Sequence, residues 1–171
     1  MRKYSIAAAL LIAVLAVSGC SGNSQTSGQN TVSAAADTPA DGAEYIEVLK
    51  EAFHEYANSS FPFADDLQGL DFDAAEKDLD NMDASLNRIE NIVAPSQYTD
   101  LQKKLVDSIG TERGIIGSYR KFIVYYKKGD MISDEEARDM QKLTEELSDP
   151  PAVFTETYLE VVKTVQADID K

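Results

Sequence analysis

Glu112, Arg113 and Tyr119 bring a carboxylate, a guanidinium and a phenol together within about two turns of a helical pattern. The same stretch holds Gly110, Gly114 and Gly117, and each glycine in a helix interior costs about 1 kcal/mol relative to Ala. Glu112 also falls on the continuation of an apolar stripe, so two local rules are broken at one place. The chemistry such a group would do is binding: a small cleft opened by the missing side chains, in which Glu112, Arg113 and Tyr119 face a ligand. The competing reading is structural, with the glycines admitting a neighbouring helix while Glu112 and Arg113 reach the rim. Directly after it comes Tyr119-Arg120-Lys121-Phe122-Ile123-Val124-Tyr125-Tyr126-Lys127-Lys128, the only basic cluster in an acidic chain. Cations interleaved with aromatic rings suit cation-π contacts, sugar stacking or an envelope polyanion. They equally suit a helix C-terminus whose rings are core and whose lysines complement the dipole and solvate the surface.

Inventory excludes most other chemistries; a two-carboxylate glycosidase is not excluded by counting among 30 acids, but a bundle of this length offers no evident cleft for one. The 171 residues contain one His and one Cys, which removes intramolecular disulfides, Cys-rich zinc sites and His-based catalytic sets. Di-iron bundles need two Glu-x-x-His pairs, and Glu51-Ala52-Phe53-His54 supplies one, so His54 reads as a solvated residue on a glutamate-rich face. Asp65, Asp66, Asp71, Asp73, Glu76, Asp78, Asp80 and Asp83 invite a calcium reading, but Met82 stands where an EF-hand needs a third oxygen after Asp78 and Asp80. The run Asp130 to Glu136 resembles only the exit half of such a loop, because Tyr125, Lys127 and Gly129 occupy the upstream ligand positions. No nucleophile elbow, phosphate loop or dinucleotide fingerprint is present. We therefore expect no catalytic residue, no metal and no cofactor. With 30 acidic against 16 basic residues, a net charge of -14, nucleic acid is not an expected partner.

At the N-terminus, Arg2 and Lys3 precede an apolar run of 12 residues, Ile6 to Val17, short of the roughly 20 needed to span a bilayer. This reads as a signal peptide. Its end, Val17-Ser18-Gly19-Cys20, resembles the lipobox of bacterial lipoproteins, in which small residues precede a modified Cys. The resemblance covers the first 20 residues and implies cleavage between Gly19 and Cys20, lipidation of the Cys20 thiol, and a chain anchored on the outer side of the cytoplasmic membrane, or at an outer membrane in a diderm. The alternative is an ordinary secretory peptide with a Cys near the cut. Loss of Arg2 and Lys3 leaves 14 basic against 30 acidic residues, a net charge of -16. Ser21 to Ala43 is small and polar apart from Val32, too poor in apolar surface to offset its ordering entropy, and forms a tether spanning on the order of 25 Å. Three regions follow: signal peptide 1–19, lipidated Cys and tether 20–43, and a folded domain 44–171.

The elements that must position these groups are helices. From Glu44 onward apolar residues recur at helical spacing and no stretch alternates for long enough to make a strand, so the class is all-α. The spacing predicts a first helix near Glu44 to Asn58 with Tyr45, Leu49, Ala52, Phe53 and Tyr56 inward, then a loop from Ser59 to Leu70 with Pro62 and Gly69 as breakers. A second helix near Asp73 to Ala94 carries the heptad-like series Ala75, Leu79, Met82, Leu86, Ile89 and Val93, capped by Asp71 or Asp73 and stopped by Pro95. The third, Gln97 to Lys127, is about 46 Å long and forms the spine. Ser133 and Glu136 make a capping box for a fourth helix with Ala137, Met140, Leu143 and Leu147 on its face. Asp149-Pro150-Pro151 restarts the chain into a fifth, near Pro150 to Ile169, burying Phe154, Tyr158, Val161, Val162, Val165 and Ile169. The expected architecture is an antiparallel bundle of four to five helices, the last two forming one broken arm beside the long third. The expected function is a membrane-anchored lipoprotein whose bundle binds a protein partner or cell-envelope component. The alternative is a small-ligand binder using a cleft near the glycines of the third helix.

Overall fold

Every regular element among the described residues, 38–171 of the computed structural model, is helical. The expected signal peptide, Cys20 and the expected tether as far as residue 37 lie outside the described residues. The elements are α1 (Gly42–Gly69), α2 (Phe72–Glu90), α3 (Thr99–Lys128) after a short 3-10 turn (Ser96–Tyr98), α4 (Asp134–Glu146) after a second such turn (Gly129–Met131), and α5 (Val153–Ile169).

Helix α1 starts two residues earlier than its periodicity suggests, because the Asp41 carboxylate accepts the Ala43 and Glu44 amides at 2.9 and 3.0 Å. It also runs 28 residues, straight through the expected loop. Pro62 sits inside it, where proline removes one backbone hydrogen bond and crowds the preceding turn. Packing overrides that cost: Phe63 and Ala64 beyond the proline are each 4% exposed, and the Phe63 ring meets the Tyr119 ring edge-on at 4.8 Å. The helix ends at Leu70 in the left-handed region (φ 61°), where the Asp71 amide reaches back to the Asp66 carbonyl at 2.9 Å.

In α2 the series Ala75, Leu79, Met82, Leu86 and Ile89 is buried as expected, but the helix ends at Glu90 and Val93 is exposed beyond it, with Ile92 buried instead. Asp71 is the cap, accepting the Ala74 amide. The Ser133–Glu136 capping box forms with both hydrogen bonds present. Five expected burials fail or fall short in the last arm. Ala137 is exposed and Met140 and Leu147 are half-buried, because α4 packs chiefly on α3 and buries only Leu143. Ile169, the last residue of α5, is exposed and Val162 is only half-buried, while Phe154, Tyr158, Val161 and Val165 are buried.

Helices α1, α2, α3 and α5 close a four-membered ring, each packed on two neighbours, with α4 outside it. Cross-helix pairs fix the directions. Arg88 on α2 meets Glu51 and Glu55 on α1, and Arg120 and Lys127 on α3 meet Asp80 and Asp73 on α2, so sequential neighbours are antiparallel. The diagonal pair α1 and α3 runs parallel, through Tyr45–Gln102, Tyr56–Glu112 and Phe63–Tyr119. Lys128–Glu136, Tyr125–Asp139, Lys104–Glu160 and Tyr98–Asp168 hold one antiparallel register, so α4 and α5 form a single broken arm along α3. No helix among the described residues is long and apolar enough to cross a membrane.

Candidate functional site

The ligand trio expected around the glycines does not converge. Glu112 and Tyr119 face inward, whereas Arg113 turns to α2, with one guanidinium nitrogen 2.7 Å from Glu90, Nε 3.6 Å from Asp83 and a further bond to Asn87. Positions 112 and 113 differ by about 100° around a helix, enough to put neighbours on different faces. Glu112 accepts the Tyr56 hydroxyl from α1, and the Tyr56 ring packs edge-on against Phe154 at 5.1 Å. Burial pushes the Glu112 carboxyl above its ordinary value, opposed by that hydrogen bond. Tyr119 is raised by burial first and by the Glu112 charge second.

The three glycines neither open a cleft nor admit a helix. Gly110, Gly114 and Gly117 are exposed, and a Cβ built on each meets nothing within 4 Å. They lie on the outer face of α3, between the charged positions that reach its neighbours. Close approach occurs elsewhere, at Gly42, where a Cβ would fall 2.8 Å from the Tyr98 hydroxyl.

The basic-aromatic segment divides by face. Tyr119 and Ile123 are buried in the ring, and Phe122 and Tyr126 are half-buried. Arg120 and Lys127 bind the acids of α2: Arg120 lies 2.7 Å from Asp80, and Lys127 2.8 and 2.9 Å from Asp73 and Glu76. Thus part of the acidic stretch 65–83 is consumed by α3 cations. Among the described residues no group of three acids, His or Cys is placed to hold a metal, and His54 is exposed on α1.

Lys121, Tyr125 and Lys128 face α4. The Lys121 ammonium is 2.6 Å from Asp139, and the Tyr125 hydroxyl donates to Asp139 at 2.8 Å. Both ammonium groups lie over the Tyr125 ring, at 5.7 and 5.9 Å from its centre. Asp139 is held below its ordinary pKa by Lys121 first and Tyr125 second. Glu136 is pulled down to about 2 by Lys128 and by the Ser133 amide of its capping box.

These contacts leave an open groove of about 430 Å³ between the C-terminal third of α3 and α4. Beside Lys121, Tyr125 and Asp139, its lining includes Arg138 and Lys142, one turn apart on α4, and Glu135. Arg138, Lys142 and Glu135 have no ion pair within 4 Å among the described residues. The α3 half of this groove was readable as a basic-aromatic run. The α4 half was not, since Arg138 and Lys142 join it only through the fold.

A polar relay escaped the sequence reading. Gln102 is buried, accepts the Tyr45 hydroxyl at 2.8 Å and donates to the Ile89 carbonyl at 2.8 Å, joining α1, α2 and α3. Its signal was the one that singled out Glu112: a polar residue on an apolar stripe, here between Tyr98 and Leu105. Compared with protein-family models, curated proteins and solved structures, the chain matches none.

Proposed function

We propose that this chain is a lipid-anchored, extracytoplasmic protein whose helical bundle binds a protein partner or cell-envelope component through the α3–α4 groove, with no chemistry of its own. The observation that carries the reading is the groove itself, an open recess of about 430 Å³ where aromatic and unpaired charged side chains meet. The other charged candidates are spent inside the fold, Glu112 on Tyr56 and Arg113 on Glu90 and Asp83. The lipobox-like Val17-Ser18-Gly19-Cys20 supports the anchoring half of the proposal.

The test is site-specific photocrosslinking in intact cells of the native host, with the probe at Glu135 in the groove and, as control, at Lys103 on an exposed part of α3. The expected result is a product formed from Glu135 but not Lys103, lost in an Arg138→Glu/Lys142→Glu double variant and in Cys20→Ala. Products indifferent to the groove charges would overturn the placement of the site.

A further inference from the structure

The outer face of α3 carries charge in an order that nothing within the chain explains. Asp100, Asp107, Gly114, Lys121 and Lys128 recur every seven residues, so they lie along one line of the helix, and all are exposed. The line is antisymmetric about Gly114. An acid stands seven residues before it and a base seven after, and the same holds at fourteen, about 10 and 21 Å away along the axis. Asp100 and Asp107 have no ion pair within 4 Å among the described residues. Lys121 and Lys128 each reach a carboxylate of α4, yet their side chains stay 50% and 43% exposed, and an ammonium has further donors to give. Those carboxylates also keep other donors, Asp139 the Tyr125 hydroxyl and Glu136 the Ser133 amide. Beside the line lie Gly110 and Gly117. No helix of the same chain takes the space these glycines leave, so their cost in a helix interior is offset by no contact inside the fold.

We infer that this face docks a second copy of the chain, with α3 lying antiparallel on α3 about a two-fold axis through Gly114. Reversing the helix about that point brings Asp107 onto Lys121 of the second copy and Asp100 onto Lys128, each pair formed twice by the symmetry. A parallel pair would set like charge on like. The charge order carries the choice of occupant, because a self-partner needs this antisymmetry and an unrelated partner does not. The glycines supply the close approach of the two backbones at the crossing, and a seven-residue repeat keeps the line facing its partner when helices cross at about 20°. Exposed ion pairs are individually weak and screened by salt, so the dimer is a weak, salt-sensitive one. The inference concerns a different face of α3 from the groove proposed above and does not rest on it.

The test is sedimentation velocity of the purified full chain over a range of concentrations, in 0.05 M and 0.5 M salt. A two-chain species should grow with concentration and shrink with salt. Asp107→Lys and Lys121→Asp should each weaken self-association by about tenfold or more, with helix content unchanged, because each sets like charges across the axis. Mixing these two variants should restore dimers, since each then meets opposite charge on the other. Gly114→Leu should abolish dimers in every background by holding the backbones apart. The Lys103 photoprobe reports this pairing too: a product there of twice the chain's mass, lost in Gly114→Leu, is a self-contact and supports the seam. A chain that stays monomeric at every concentration in 0.05 M salt, or single variants whose mixture associates no better than either alone, would overturn the inference.

Discussion

Glu112 holds a carboxylate against the bundle core with the Tyr56 hydroxyl as its donor, and this arrangement has a definite pH signature. Burial raises its folded-state pKa above the unfolded value, so the fold prefers the protonated acid. The contribution to stability is complete below the ordinary carboxylate range and is lost as pH rises through the raised value. Glu112→Gln keeps an acceptor for Tyr56 without the charge, and at pH 7 it should be at least as stable as the parent. Glu112→Ala leaves the buried hydroxyl unpaired and should cost about 1–3 kcal/mol. Urea unfolding between about pH 4 and pH 8 decides it: the margin of Glu112→Gln over the parent should grow with pH, and a Gln variant as damaged as Ala would refute the account. The glycines give a second contrast. Gly42→Ala drives a methyl against a Tyr98 ring that is stacked on Tyr45 and bonded to Asp168, and overpacking of this kind costs about 1–3 kcal/mol. Gly110→Ala, Gly114→Ala and Gly117→Ala meet open space and should each stabilise by about 0.5–1 kcal/mol, read from thermal melts. At this scale the sequence displays a misfit but not its cause. Glu112 stood out by interrupting a stripe, whereas its partner Tyr56 is 56 residues away on the diagonal helix.

Helices were legible wherever local spacing and tertiary burial agree. The heptad series of α2 as far as Ile89, the Ser133–Glu136 box and the broken arm of α4 and α5 along α3 all follow from residues a few positions apart, and all are present. Residues 59–69 were misread because Pro62 and Gly69 argue locally for a loop, while Phe63 and Ala64 are buried by helices the local pattern cannot see. The opposite error occurred in α4, where a correct apolar face lacks a second helix to cover it. That deficit sets the dynamics of the element. Helix α4 is held by Leu143 and by the exposed pairs Lys121–Asp139 and Lys128–Glu136, and exposed pairs contribute little and are screened by salt. Its amides should therefore exchange with deuterium faster than those of α2 and α5, and faster still in 1 M than in 0.1 M salt. Leu143→Ala should accelerate exchange in α4 with little change in α1 and α2. Exchange in α4 as slow as in α2 would show the arm to be integral to the core.

The whole molecule relates charge, length and direction to the proposed anchor. The end of the bundle where α1 begins is also where α3 begins, as the Tyr45–Gln102 bond shows. Lys121 to Lys128 lie further along α3 by roughly 30–40 Å, at about 1.5 Å per residue, so the groove opens at the end remote from residue 42. In a chain held through Cys20 the groove would thus lie at the end of the bundle remote from the tether's point of entry. After cleavage at Gly19 its net charge of -16 would add repulsion from anionic head groups, leaving the acyl chains as the source of attachment. Cys20→Ala should accordingly move the protein from the membrane to the wash fraction at low salt, with no residual peripheral binding, while its melting temperature and helix content match those of the parent. Because exposed acids repel an anionic membrane less as they are screened, raising the salt should not release any further protein. Retention of Cys20→Ala on the membrane would place the attachment in the folded body or in an uncleaved leader, and the lipid-anchor proposal would fail with it.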